Sequence, residues 1–253
     1  DPGLRPVSRD LAGMTNRDKV SPAEIHLLAG AGLRQPTDVL ISRFEDRTGH
    51  KIVVSYDGGG KLMARILASG LGDCFMPGAV FYIERLREKG RIHSCYDVVA
   101  HTPVIGVNRN ASDRIRSLED LTEPGLRLAL GDPQAMAFGK TARKILKKAY
   151  MEEEVLKNVV VQGGTVKQLA LYAARGDVHA AIIGRADAFQ FRDRIVMLPI
   201  PREYFEQEVI AAAVLESSSQ KKASADLCAF LGSQESIEVF KEFGFLPLDA
   251  PGK

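Results

Sequence analysis

Three short stretches of this 253-residue sequence could do chemistry with the backbone instead of with side chains. They are Gly30-Ala31-Gly32, Gly58-Gly59-Gly60 and Gly163-Gly164-Thr165. Each follows a run that reads as strand and precedes one that reads as helix. A helix start carries amides with no carbonyl partner, and these amides, aided by the local dipole, bind anions. Small residues let the backbone approach the ligand closely. Any one such loop is equally an ordinary tight turn; three at corresponding topological positions point to a ligand. None fits GxxxxGK[ST], because Leu62 follows Gly60-Lys61, and none fits GxGxxG in its strand–helix–acid setting. Arg34 and Lys61 stand just beyond the first two loops as charge partners for an anion, arginine as a multiple donor and lysine as a point charge. Either also reads as a solvated residue at a helix start. Asp57 and Asp132 flank the same loops; a carboxylate there opposes an oxyanion, so capping of a turn or helix is expected of both.

No other constellation carries chemistry. His26, His50, His93, His101 and His179 are scattered, without HExxH spacing, and read as surface or structural residues. The three cysteines, Cys74, Cys95 and Cys228, show no CxxC pair. Cys74 sits in Gly72 to Gly78, which reads as a loop, and is expected to be a buried, unpaired thiol with no catalytic role. There is neither a GxSxG elbow nor a Ser-His-acid order. The sequence therefore offers no catalytic residues, no metal-ligating side chains and no resident cofactor.

The elements that must position the loops follow from periodicity. Glu24 to Leu28 and Lys51 to Tyr56 read as strands, residues 36–47 and a run through Leu62, Ile66 and Leu67 as helices. The order strand, small-residue loop, helix predicts α/β architecture with a mostly parallel sheet. The pattern returns with a strand at Leu126 to Leu130, a helix near 139–149, a strand at Val159 to Gln162, a helix over 165–175 and a buried strand at Ala180 to Ile183. Extended runs at Pro103 to Val107, Val196 to Ile200 and Val209 to Leu215 lie outside that repeat. Helices close the chain near 219–231 and 234–242, the last with Ser233 as N-cap and Gly244 beyond its end. These runs predict one lobe at 24–102 plus 205–247 and another at 103–199, with a crossing at 200–204. Residues 1–23 read as an N-terminal arm and 248–253 as a tail.

Composition sets the outer bounds. The chain is 45% hydrophobic and 26% charged, which suits a globular protein and excludes intrinsic disorder. Lysine plus arginine number 34 against 32 acidic residues, so nothing favours nucleic acid as a partner. No run of 18 apolar residues predicts a spanning helix. The opening Asp-Pro-Gly reads as a mature or trimmed start, with no export signal in this chain.

Four stretches carry a family resemblance: AGAGL at 29–33, YDGGGKLMARI at 56–66, LALGDPQAMAFG at 128–139 and GGTVKQLALYAARGDVHAAIIGRADA at 163–188. The closing AFLGSQESIEVFKEFGF at 229–245 adds to them. Together, over residues 24–247, they resemble the molybdate/tungstate-binding proteins of ABC transporters, a branch of the type II periplasmic binding proteins. The resemblance implies a two-lobed α/β fold with an interlobe cleft. It implies capture of a small oxyanion for an ABC permease, by a monomer that works in the periplasm or as a membrane-anchored extracellular protein and performs no bond chemistry. It places ligand contacts at Gly32, Gly59, Gly60, Phe138, Thr165, Val166 and Ile183, with Arg34 and Lys61 as compensating charges. The family's serines are replaced by Gly32 and Gly58 to Gly60, and Ile183-Gly184 stands where the family often has tyrosine. Backbone donors survive these changes; hydroxyl donors do not. A receptor for a carboxylate or phosphonate, a sensory domain that no longer transports, and an enzyme using the cleft are the alternatives.

Overall fold

A computed structural model describes residues 22–249. The proposed N-terminal arm lies outside these residues except for Pro22 and Ala23, and the proposed tail except for Leu248 and Asp249. The described residues divide into two compact units, one of 22–100, 209–242 and 247–249, the other of His101–Glu208 with Phe243–Leu246.

The first unit begins β1 (Glu24–Gly30), α1 (Arg34–Thr48), β2 (Lys51–Asp57), α2 (Gly59–Ser69), β3 (Cys74–Met76), α3 (Phe81–Arg87) and β4 (Ile92–His101, its last residue in the second unit). The second runs β5 (Pro103–Asn108), β6 (Leu128–Gly131), α4 (Ala137–Lys148), α5 (Glu152–Lys157), β7 (Val159–Gly163), α6 (Val166–Arg175), β8 (Ala180–Gly184), α7 (Arg185–Phe189) and β9 (Ile195–Pro199). β10 (Glu208–Leu215), α8 (Lys221–Leu231) and α9 (Gln234–Glu242) return to the first unit, all but Glu208.

Each unit holds one five-stranded mixed sheet, in the orders β2-β1-β3-β10-β4 and β7-β6-β8-β5-β9. In the first, β1 runs parallel to β2 and β3, and Gly30 stands opposite Asp57 while Ala29 stands opposite Met76. In the second, β6 runs parallel to β7 and β8, with Gly131 opposite Gly163. Parallel strands joined through helices end on one side, so each unit gathers its strand-to-helix loops along one edge.

The strands of the second unit show why the sequence takes this form. Ile105, Val107, Leu128, Leu130, Ala180 and Ile182 pack on one face with Ala142, Ile145 and Leu146 of α4. Val104, Ala129, Ala181 and Ile183 pack on the other with Leu169, Ala170 and Ala173 of α6. Alternate residues feed opposite faces, and both faces are covered, so the strands read as unbroken apolar runs. Burying a leucine or isoleucine side chain fully stabilises by about 1.5–3 kcal/mol.

Two expectations change. Cys74 to Met76 is a strand, not part of a loop: three residues between β1 and β10 are too few to show alternation, yet all are buried. Residues 101–102, 200–208 and 243–246 group with the second unit, because Ile200 and Phe205 sit in its core and Gly244 lies against Phe189. Ser233 Oγ accepts the Ser236 N–H at 3.3 Å, and Gly244 has the left-handed φ of +88° beyond α9. All three cysteines are free thiols, with Cys74 and Cys228 buried.

Candidate functional site

The strand edge of the first unit is built from main chain. α2 starts at Gly58 with no side-chain cap. Leu62 N–H closes the first turn on Gly58 O at 3.1 Å, so the amides of Gly59, Gly60 and Lys61 precede the helix's own ladder. The Gly58 amide is engaged otherwise: it donates to Asp57 Oδ1 at 2.7 Å. That bond, with Lys61 beside it, holds the Asp57 carboxyl below its ordinary range. Asp57 thus caps the turn, as its position suggested.

The glycines divide into two kinds. A Cβ at Gly59 would stand 2.7 Å from the Tyr82 ring, so glycine there is required by packing. A Cβ at Gly60 would lie 3.7 Å from the same ring. At Gly32, Gly58 and Gly78 the same atom would meet nothing within 4 Å, which leaves the backbone open to a ligand. Tyr82, on the short α3, was not marked by any sequence pattern.

The two cations differ. Arg34 opens α1 and its guanidinium lies 4.1 Å over the Tyr56 ring. Tyr56 is itself tied to Asp38 Oδ1 at 2.5 Å, and burial first, then Asp38, raises its hydroxyl pKa. Lys61 is 80% exposed and lies 3.5 Å from Asp57 Oδ1.

The edge of the second unit is built from side chains as well. α4 starts at Met136 without a side-chain cap. α6 starts at Thr165, whose Oγ1 accepts the Gln168 N–H at 3.2 Å, while Gln168 Oε1 accepts from Gly164. Thr165 therefore caps, and the Val166 and Lys167 amides precede the ladder that Leu169 N–H begins on Thr165 O. Asp132 Oδ1 accepts the Gln134 N–H at 2.8 Å, again a turn contact. Ile183 is fully buried, with its side chain over Gly106, so it serves the core and offers no side chain to a ligand. Phe138 is also a core residue, and its ring lies 5.2 Å from the His101 ring.

His101, Asp187 and Glu208 are the residues that sequence reasoning missed. A Cβ at Gly184 would meet His101 Nε2 at 2.5 Å and Asp187 Oδ2 at 2.8 Å, so both polar atoms crowd the end of β8. His101 Nδ1 lies 3.8 Å from Glu208 Oε2, within ion-pair reach, with side chains only 17% and 26% exposed. Burial pushes the Glu208 carboxyl up to about 7. It pushes Asp187 up to about 6, against a lowering by Lys167. The Thr102 hydroxyl, next to His101, is buried with no hydrogen-bond partner among the described residues. These residues are far apart in sequence, and a lone histidine and two lone acids carry no spacing signal.

Among the described residues no group of three histidine, cysteine or acidic side chains could hold a metal ion, and no helix is long and apolar enough to cross a membrane. Each unit by itself presents helix-start amides at its strand ends, and amides so placed suit non-covalent capture of an anion.

Comparison with known proteins agrees with the architecture. The bacterial extracellular solute-binding protein family matches residues 25–246. A Haemophilus influenzae protein whose name reads "Putative binding protein" is 36% identical over 228 residues, covering 90% of this chain and 93% of that protein. The periplasmic molybdate-binding protein of Azotobacter vinelandii has a similar structure, with a TM-score of 0.74 at 18% identity, covering 89% of this chain and all of that one. The sulfate-binding protein SubI of Mycobacterium tuberculosis H37Rv is similar too, with a TM-score of 0.72 at 17% identity over 90% of this chain and 88% of that one. At such identities these two structures speak for the fold alone.

Proposed function

We propose a function from one premise: the chain belongs to the bacterial extracellular solute-binding protein family. It captures a small oxyanion outside the cytoplasm and delivers it to an ABC permease, without making or breaking covalent bonds. The observation that carries this reading is the uncapped start of α2, where the Gly59, Gly60 and Lys61 amides precede the helical ladder beside the open backbone of Gly58. Amides so placed satisfy a dehydrated anion without a counter-charge. In the second unit, taken by itself, the starts of α4 and α6 leave the amides of Phe138, Val166 and Lys167 ahead of their ladders in the same way.

Molybdate or tungstate is the anion we assign first, in keeping with the resemblance of the 29–33 and 56–66 stretches. The replaced serines and Ile183-Gly184 turn the grip toward amides and the few side chains at the strand edges. A thermal-shift panel of molybdate, tungstate, sulfate, phosphate and small carboxylates tests the assignment. A ligand at about a hundred times its Kd stabilises by about 2.7 kcal/mol, which raises the Tm of a domain this size by several degrees. A rise with molybdate and tungstate alone supports the assignment. A rise only with carboxylates replaces it with an organic-acid receptor, and no rise with any anion removes the oxyanion reading.

A further inference from the structure

We propose that Cys74 and Cys228 join in an intramolecular disulfide that ties β3 to α8 inside the first unit, while Cys95 remains a free thiol. The inference does not depend on the oxyanion reading above.

The topology brings the two sulfurs to one place. β3 runs between β1 and β10, and successive side chains on a strand point to opposite faces of its sheet. Phe75 turns to the face covered by Leu62 and Ile66 of α2 and by Ile83 and Leu86 of α3. Cys74 turns to the other face, where its Sγ donates to the main-chain oxygen of Ser224 in α8 at 3.6 Å. Cys228 stands one helical turn after Ser224 in the same helix, and Cys74, Ser224 and Cys228 are all fully buried. Residues four apart lie one above the other on a helix, and their side chains lean toward its N-terminus. The Cys228 thiol therefore leans back over the turn that the Cys74 thiol touches.

A polar contact holds strand and helix at this approach. Asp73, next to Cys74, accepts from Ser218 Oγ at 2.6 Å through Oδ1 and from the His26 N–H at 2.9 Å through Oδ2. Ser218 Oγ in turn lies 3.3 Å from Ser224 Oγ. The neighbour of one cysteine is thus linked to the residue one turn before the other. The thiols also sense each other: burial first, then a hydrogen bond with Cys74, holds the Cys228 thiol well above its ordinary pKa.

Cys95 is set apart by the same sheet. It lies on β4, on the far side of β10 from β3, and packs against the cluster that contains Phe75. That is the face opposite Cys74. A disulfide spans only about 3.5–4.5 Å between Cβ atoms and does not reach through a sheet.

Both sulfurs are thiols in the structure, which is the reduced form, and the expectation of an unpaired Cys74 holds for that form alone. The family to which the chain belongs is extracellular, where disulfides form and persist. The oxidant is a disulfide compound, RSSR. One cysteine, as its thiolate, attacks a sulfur of RSSR; the S–S bond breaks and one RS⁻ leaves, to be protonated to RSH. The second cysteine, as its thiolate, attacks the protein sulfur of the mixed disulfide and displaces the other RS⁻. The protein gives up two electrons and two protons, and RSSR takes both to become two RSH. Burial keeps the thiolate scarce and the sulfurs closed to solvent once the unit has folded, so the bond forms as the unit folds and is then sealed from exchange.

The consequence is mechanical. β3 has three residues, and a covalent tie fastens a strand that short to the helix behind it. The loop closed between residues 74 and 228 contains β4 through β9 and all of β10. Closing so long a loop removes much freedom from the unfolded chain, which favours the oxidised form.

The test is a thiol count on the wild-type chain. Reduced, denatured protein is refolded in a mixture of oxidised and reduced glutathione, then denatured again in iodoacetamide. We expect one alkylated cysteine per chain, Cys95, where the chain refolded without oxidant gives all three. Before alkylation the oxidised chain should weigh about 2 Da less than the reduced one. Proteolysis without reductant should release one linked pair of peptides, carrying Cys74 and Cys228. Cys95→Ser should form the same link, and Cys74→Ser should leave Cys228 open to alkylation. The oxidised form should melt several degrees above the form refolded without oxidant. Three alkylated cysteines after oxidative refolding, or a link that includes Cys95, overturns the proposal, and equal melting of the two forms overturns the fastening role.

Discussion

The two units place parallel strand ends and helix starts in the same topological relation, yet arm them differently. In the first, uncapped amides lie at the edge beside the Arg34–Tyr56–Asp38 group, and Asp57 with Lys61 lies in solvent at 48% and 80% exposure. In the second, His101 and Glu208 face each other at 17% and 26% exposure, with Asp187 over Gly184 nearby. Exposed pairs are screened by water and salt and contribute little. Burial instead moves protons, because desolvation penalises the charged form. One fold thus places fixed dipoles at the strand edge of one unit and buried titratable side chains at the strand edge of the other.

The sharpest way to break this contrast is to put a methyl group at matching glycines. Gly184→Ala would drive a Cβ to 2.5 Å from His101 Nε2 and 2.8 Å from Asp187 Oδ2, so ring or carboxylate must move. Overpacking of this kind costs about 1–3 kcal/mol, and we expect both the Tm and, under the oxyanion reading, the anion affinity to fall, the latter by about tenfold. Gly58→Ala meets nothing within 4 Å and has negative φ, so the protein should keep its Tm. Equal losses of Tm and of affinity in both variants, by melting and calorimetry, would show that the edges do not differ as described.

The same contrast explains what was legible in the sequence. The first unit's edge could be read because glycines cluster directly after a strand-like run: Gly58 to Gly60 follow Lys51–Asp57 and start α2 where expected. α1 and α6 announced themselves by apolar stripes, and α9 by Ser233 and Gly244. β3 and α7 have three and five residues, too few for any period to show. The His101 cluster was illegible for another reason. Its members stand at positions 101, 187 and 208, and only the pairing of β5 with β8 brings Pro103 opposite Gly184. Burial, which makes these groups chemically distinct, is a property of packing that a list of residues does not contain. Ile183 and Phe138 were placed near the ligand by resemblance; the structure puts both side chains in the core and leaves their neighbours, Gly184 and His101, at the edge.

A smaller effect tests whether any charge serves the first unit. Arg34 is held over Tyr56 at 4.1 Å, and Tyr56 is anchored by Asp38 one helical turn beyond Arg34, so the guanidinium is fixed at little further entropic cost. Arg34→Ala should weaken anion binding by about three- to tenfold, a loss that shrinks as salt rises from about 0.02 to about 0.5 M. Arg34→Lys should not recover it, since an ammonium lacks the planar stack. Wild-type affinity in Arg34→Ala across that salt range would leave the first unit's grip to amides alone.

The smallest effect belongs to Lys61, and its smallness is the point. Its amide precedes the α2 ladder and is unchanged by substitution, whereas its ammonium is 80% exposed and lies 3.5 Å from Asp57. That carboxylate largely cancels its field toward an anion, and ions screen the remainder within about 8–10 Å. Removing the side chain leaves Asp57 still bound to the Gly58 amide at 2.7 Å, so the turn should keep its shape. Lys61→Ala should therefore change the Kd by no more than about twofold at physiological salt, measured with the anion that gives the largest thermal shift. A tenfold loss there would mean that the ammonium leaves Asp57 to reach the anion. The first unit would then meet the anion with a side-chain charge, and the distinction between a dipolar edge and a titratable one would fail at the residue where it is easiest to measure.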